Sequence, residues 1–201
     1  MATTAGTVAT NLIERVYATG GIAHTQAWVI SILSKTQRVA NAYLRAVRSN
    51  AVLTVKAMKL VHKLRDDLPL AIDITKITEN RGGNDEQLER VDDLLELSAY
   101  DVNWFRKLIG TTRYETWTQL GRDLLVIYPG KVAAGTVTAH YTKLTTALAA
   151  AGTAFELPDE DVQVAKDLAE IILLARDKQI VECSNKLEQL SERIGLEVFD
   201  D

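Results

Sequence analysis

The sequence predicts a mainly α fold, a helical bundle with a small antiparallel β insertion (hairpin plus meander) in the middle of the chain. Three observations predict it. Three prolines and eleven glycines in 201 residues leave little turn material. Apolar residues recur at helical spacing near both ends. Between those ends the period changes toward two, and Pro69, Pro129 and Pro158 punctuate the change. The length suits one domain, residues 1–201. Within it, 1–50 is expected helical, 51–145 mixed with the β insertion, and 146–201 helical with a flexible acidic C-terminal tail.

The elements follow in order. Val8, Leu12, Ile13, Val16 and Tyr17 give a helix over 7–18, broken by Gly20-Gly21. Thr25 can cap the next helix. That helix carries Trp28, Ile32, Val39, Tyr43 and Val47 on one stripe and Lys35, Arg38, Arg45 and Arg48 on another. The segment 52–64 fits helix or strand. Ile72, Ile74 and Ile77 with Thr75 and Thr78 predict a strand, 80–84 a turn, and 87–91 a returning partner. Asp92 and Asp93 open a short helix through Leu94, Leu95 and Leu97. Segments 113–118, 124–128 and 136–141 read as a three-stranded meander. Asp159 caps a helix whose buried face is Val162, Ala165, Leu168, Ala169, Ile172 and Leu173. Asp177 caps the last helix, which runs to Gly195.

Composition excludes several classes. At 47% hydrophobic the chain is too apolar for a disordered tail. One cysteine, Cys183, excludes a disulfide scaffold. A net charge of −4 argues against a basic nucleic-acid-binding domain. Charge is uneven: +4 over residues 1–50, −2 over 51–130 and −6 over 131–201. Such a gradient suits head-to-tail contact between copies, and solvated faces would look the same. The longest apolar runs, near 124–128 and 171–175, fall below the roughly 18 residues of a membrane span. No targeting signal is visible, so a reducing cytosol is the expected site of synthesis.

Catalytic patterns are weak. There is no Gly-rich phosphate loop, no paired Cys-x-x-Cys, no His-Glu-x-x-His and no Gly-x-Ser-x-Gly. His24, His62 and His140 lack ligand spacing. The pairs Asp66/Asp67 and Asp92/Asp93 sit at segment boundaries, where Asp commonly caps. No catalytic, cofactor-binding or metal-ligating residue is assigned, and no cofactor is expected.

One long stretch is more distinctive. Trp104-Phe105 is followed by Gly110-Thr111-Thr112-Arg113-Tyr114-Glu115-Thr116-Trp117. Then come Gly121 to Pro129, ending Val126-Ile127-Tyr128-Pro129, and Thr136-Val137-Thr138-Ala139-His140-Tyr141. Phe155-Glu156-Leu157-Pro158-Asp159-Glu160 leads into an Ala/Leu-rich helix. Earlier, Thr25-Gln26-Ala27-Trp28 through Arg38 and Asp67-Leu68-Pro69 fit the same series. Over about residues 7–194 this resembles the head-to-tail adaptor (connector, neck) proteins of tailed bacteriophages. Thr112 departs from that family's pattern, which often has proline there.

The resemblance implies a structural virion protein and no enzyme. It implies a ring docked on the portal protein at the neck of the virion, assembled in the host cytoplasm. The ring extends the DNA channel, joins capsid to tail and meets a downstream tail or stopper protein. By analogy with portal symmetry the ring would have about twelve copies. DNA would pass through the lumen without specific binding, and an acidic lining from the C-terminal part would repel phosphate. No membrane is expected. The expected partner-binding residues are the turn Arg81, Gly82, Gly83 and Asn84 and the tail Leu196, Glu197, Val198, Phe199, Asp200 and Asp201. Two other readings stay open. One is a helical DNA-binding or packaging accessory protein using the basic face Lys35, Arg38, Arg45 and Arg48. The other is an enzyme of unrecognised type, for which a deep polar pocket or a metal would speak.

Overall fold

Thr4 opens the first helix: its hydroxyl accepts a hydrogen bond from the Thr7 N–H at 3.4 Å, satisfying one orphan donor of the first turn. The computed structural model describes residues 3–100 and 113–195. Among these residues it contains six helices and two four-stranded sheets, 42% helix and 28% strand. The fold is therefore an α/β mix, which corrects the mainly α bundle. The chain forms two compact units, one from 1–47 and 145–201 and the other from 48–144.

The helical unit holds α1 (Ala5–Ala18), α2 (Gln26–Leu44), α5 (Asp159–Arg176) and α6 (Ile180–Ile194). Val8, Leu12 and Val16 of α1 pack with Val29, Ile32 and Leu33 of α2 and Ala169, Leu173 and Leu174 of α5. Gly6 permits a close approach: a Cβ there would lie 2.8 Å from that of Ala151. The Gly6 N–H donates to the Ala151 carbonyl at 2.7 Å. Buried Gln37 ties loop to helix, donating to the Thr146 carbonyl and accepting from the Glu156 N–H. Helix α6 buries only Leu190 fully. Charge also fastens it to α5: Asp167, almost wholly buried, meets Lys186 at 3.0 Å and Arg193 at 3.4 Å. Glu170 meets Lys186 and Arg15.

The β unit begins at β1 (Arg48–Val55) and continues through β2 (Val61–Lys63), the single turn α3 (Leu64–Asp67) and β3 (Ala71–Arg81). Then come β4 (Asn84–Gln87), β5 (Glu89–Arg90), α4 (Leu94–Tyr100), β6 (Thr116–Leu120), β7 (Leu124–Tyr128) and β8 (Gly135–Lys143). One sheet has the order β1-β8-β3-β4 and the other β2-β7-β6-β5. Their inward residues form one core: Leu53, Val55, Ile74, Ile77, Val137 and Ala139 from the first, Trp117, Leu125 and Ile127 from the second. The arrangement is a β-sandwich.

Three further expectations are corrected. Helix α2 stops at Leu44, and Arg45 takes a left-handed conformation (φ 53°), so Val47 and Arg48 leave the helical stripe. The Asn41 side chain accepts from the Val47 N–H at 2.8 Å and helps turn the chain out. The meander holds for β6 and β7, but β8 pairs with β1 and β3 in the other sheet. Asp159 lies in the first turn of α5 with Pro158 at the N-cap, and Asp177 closes α5 without capping α6. The Asp177 carboxylate instead accepts from the Ile22 N–H at 2.9 Å and meets His24 at 3.1 Å.

Candidate partner-binding hairpin

Strands β3 and β4 pair from Thr78↔Gln87 to Arg81↔Asn84 and leave a two-residue turn, Gly82-Gly83. Both glycines have positive φ, 60° and 95°. A hairpin turn of this kind follows the twist of the strands, and two glycines adopt it without a Cβ penalty. The Asn80 side chain accepts from the Gly83 N–H at 3.2 Å and donates to Asp85 at 2.9 Å. Gly82, Gly83 and Asn84 are exposed.

Arg81 is not a free arm at the tip. Its guanidinium donates to Glu79 at 2.9 Å, to Glu86 across the hairpin, and to the Tyr114 carbonyl. Glu79 is 6% exposed. It also accepts from Lys131 and from the Tyr114 N–H at 3.3 Å. Burial pushes the Glu79 carboxyl up, and the bonds from Lys131, Arg81 and the Tyr114 N–H outweigh it, holding the group below its ordinary value. Lys131 lies 3.8 Å from the centre of the Tyr114 ring. Burial first, and the Glu79 charge second, push the Tyr114 phenol up to about 12. The hydroxyl has no hydrogen-bond partner among the described residues. A Cβ on Gly135 would stand 2.8 Å from it, so that glycine makes room for the phenol.

The site is thus a rigid base under an exposed glycine tip. Sequence reading found the turn and missed the base, and it placed the returning strand at 87–91, where 84–87 pairs with β3 and 89–90 joins β6 in the other sheet. Ile77, Glu79 and Arg81 alternate on the core-facing side of β3, and a charge at such a place demands a partner. That much was readable. Lys131 lies 52 residues away from Glu79, and no local pattern announces it.

The other expected residues divide. Lys35 and Arg38 are exposed on α2, Arg45 closes that helix, and Arg48 opens β1 in the other unit. The four cations therefore share no single element. The tail Leu196 to Asp201 lies outside the described residues, as does the stretch 101–112 with Trp104 and Gly110. His24 meets Asp177, and His62 is buried with its ring nitrogen 3.2 Å from the Lys59 carbonyl. His140 stands in a cross-strand row with Asn50 and Lys76. Among the described residues no helix is long and apolar enough to cross a membrane, and no cluster of His, Cys, Asp or Glu could hold a metal ion. No protein-family model matches the chain, and no curated protein matches it.

Proposed function

We propose that this chain is a structural virion protein, a head-to-tail adaptor that docks as a ring on the portal and joins capsid to tail. The β3–β4 hairpin supports the reading best. A partner-docking loop must hold its shape before contact, because ordering it at contact weakens binding. Here the tip is exposed and its root is fixed by Glu79, Arg81, Glu86 and Lys131. Gly82, Gly83 and Asn84 offer backbone groups to a partner surface, and Leu196 to Asp201 supply a second attachment. The resemblance over residues 7–194 points the same way.

The test uses purified virions and the portal protein encoded by the same genome. The chain is expected in virions at the portal vertex by electron microscopy of antibody-labelled particles, and bound to portal rings in co-sedimentation. Replacing Gly82-Gly83 by a longer Ser-rich loop is expected to weaken portal capture about tenfold or more without unfolding the chain. Virions that lack the chain, or portal rings that never capture it, would refute the reading.

A further inference from the structure

Among the described residues the first sheet has an unpaired outer strand at each edge, and the two differ. Strand β1 is one outer strand and β4 the other. Proteins usually protect edges with proline, bulges, short strands or a covering element. Strand β1 has no proline, no bulge and no shortness to protect it, and no described strand pairs with its outer side. It has eight residues, no proline and an unbroken ladder to β8 from Arg48↔Thr142 to Val55↔Gly135. Val52 at its middle is 68% exposed. All four residues of β4 are exposed.

The edges are complementary in charge. From Ala46 to Arg65 there is no acidic residue; Arg48 opens β1, and Lys56 and Lys59 follow it. Strand β4 carries Asp85 and Glu86, with Glu89 just beyond, and no cation. Arg81 answers Glu86 within the chain. Neither Asp85 nor Lys56 has an ion pair among the described residues.

The edges are also complementary in direction and level. Every pairing in this sheet is antiparallel. Strand β4 therefore runs opposite to β1, and a neighbouring β1 laid beside it continues the alternation. Val52 is level with Thr138, Thr138 with Thr78, and Thr78 with Gln87. Cross-strand partners share a face, so Val52 and Gln87 lie on the same face at the same height. A neighbour docked at that height sets Gln87 opposite Val52 and Asp85 opposite Thr54. Continuing the pleat, Lys56 comes diagonal to Asp85, within reach of a long side chain.

We propose that the β1 edge of one copy pairs with the β4 edge of a second copy, so that the first sheet runs on from chain to chain. The two surfaces are unlike, so the contact is head-to-tail and closes as a ring when the rotation allows. The inference supplies the self-contact of the adaptor reading and rests on the ring-forming part of it.

Cross-linking of the full-length chain tests it. Cys183 is changed to Ser, and Val52→Cys and Gln87→Cys are made in separate chains. In concentrated solution a short bis-maleimide is expected to join the two variants when mixed and neither variant to itself. Lys56→Glu is expected to weaken association in sedimentation about fivefold, and mixing it with Asp85→Lys to restore the cross-link. Self-linking of Val52→Cys alone would show a two-fold β1 edge pair and overturn the proposal. A monomer at every concentration, with no cross-link, would overturn it equally. Cross-linking without portal capture would sink the adaptor reading alone. Portal capture without cross-linking would sink this inference alone.

Discussion

Lys131 stands 3.8 Å over the Tyr114 ring and at the same time pairs with the carboxylate of Glu79. One cation thereby answers a buried charge and covers an aromatic face. Removing its acidic partner leaves that cation, and Arg81, without their shared carboxylate. Glu79→Ala is expected to cost about 3 kcal/mol of sandwich stability. Glu79→Gln is expected to cost less, since its amide oxygen still accepts. Hydrogen exchange should rise over β3 and β6 and stay unchanged over α5.

The same carboxylate fixes an acid limit. Its folded pKa lies below the ordinary 4.5. A depressed acid contributes stability above its unfolded pKa and loses it as pH falls through the folded value. The β unit should therefore weaken below about pH 4.5. The slope should be shallower in Glu79→Gln. Thermal melts between pH 3 and 7, monitored by hydrogen exchange of β3, read it; equal slopes would contradict the account.

Tyr114 sets a limit at the other end. Its phenol is raised to about 12 from an ordinary 10.0. The folded state holds that proton more tightly, so its contribution is complete below pH 10 and is lost as pH rises toward 12. Tyr114→Phe is expected to flatten this alkaline limb. Difference absorbance of tyrosinate, compared between the two proteins, assigns the late-titrating phenol.

Gly135 and Tyr114 are coupled by space. Gly135→Ala puts a methyl group 2.8 Å from the phenol oxygen. Overpacking of this kind costs about 1–3 kcal/mol. In Tyr114→Phe the nearest atom is gone, and the next ring carbon lies at 3.3 Å. The double variant should recover part of the loss, and a double-mutant cycle by urea denaturation measures it.

Helix α6 depends on Asp167. That carboxylate accepts from Gln163 at 2.8 Å and answers both Lys186 and Arg193. Asp167→Ala leaves Lys186 without this partner and is expected to open α6 ahead of α5. Amides of 180–194 should exchange faster by about tenfold or more, with β1 and β8 unchanged.

Much of the helical unit was legible because amphipathic period and breakers agree there, while the caps expected at Asp159 and Asp177 do not form. Helix α1 starts at Ala5 and Gly20 follows its end; in the β unit, Asp93 accepts from the Glu96 N–H at the start of α4. The Gly82-Gly83 turn was legible for the same reason, since two glycines name the turn type. The β content was underestimated because Val52, Leu53 and Val55 form a short apolar run that fits either period. Strand exchange between sheets was not legible at all: Thr136 to Tyr141 follows β7 closely in sequence, yet its partners are β1 and β3. Pairing of distant strands leaves no local mark.

Arg48 and Thr142 are cross-strand partners. The β unit therefore enters and leaves by neighbouring strands, which lie about 5 Å apart where Arg48 faces Thr142. For the helical unit, a folded sandwich is equivalent to a link of a few residues between 47 and 145. Closure entropy rises with the logarithm of loop length. Helix α2 and helix α5, which pack together from opposite sides of that link, therefore meet as near neighbours once the sandwich has formed. A sandwich that folds first thus acts as an internal clasp, shortening the search by which the two halves of the bundle find each other.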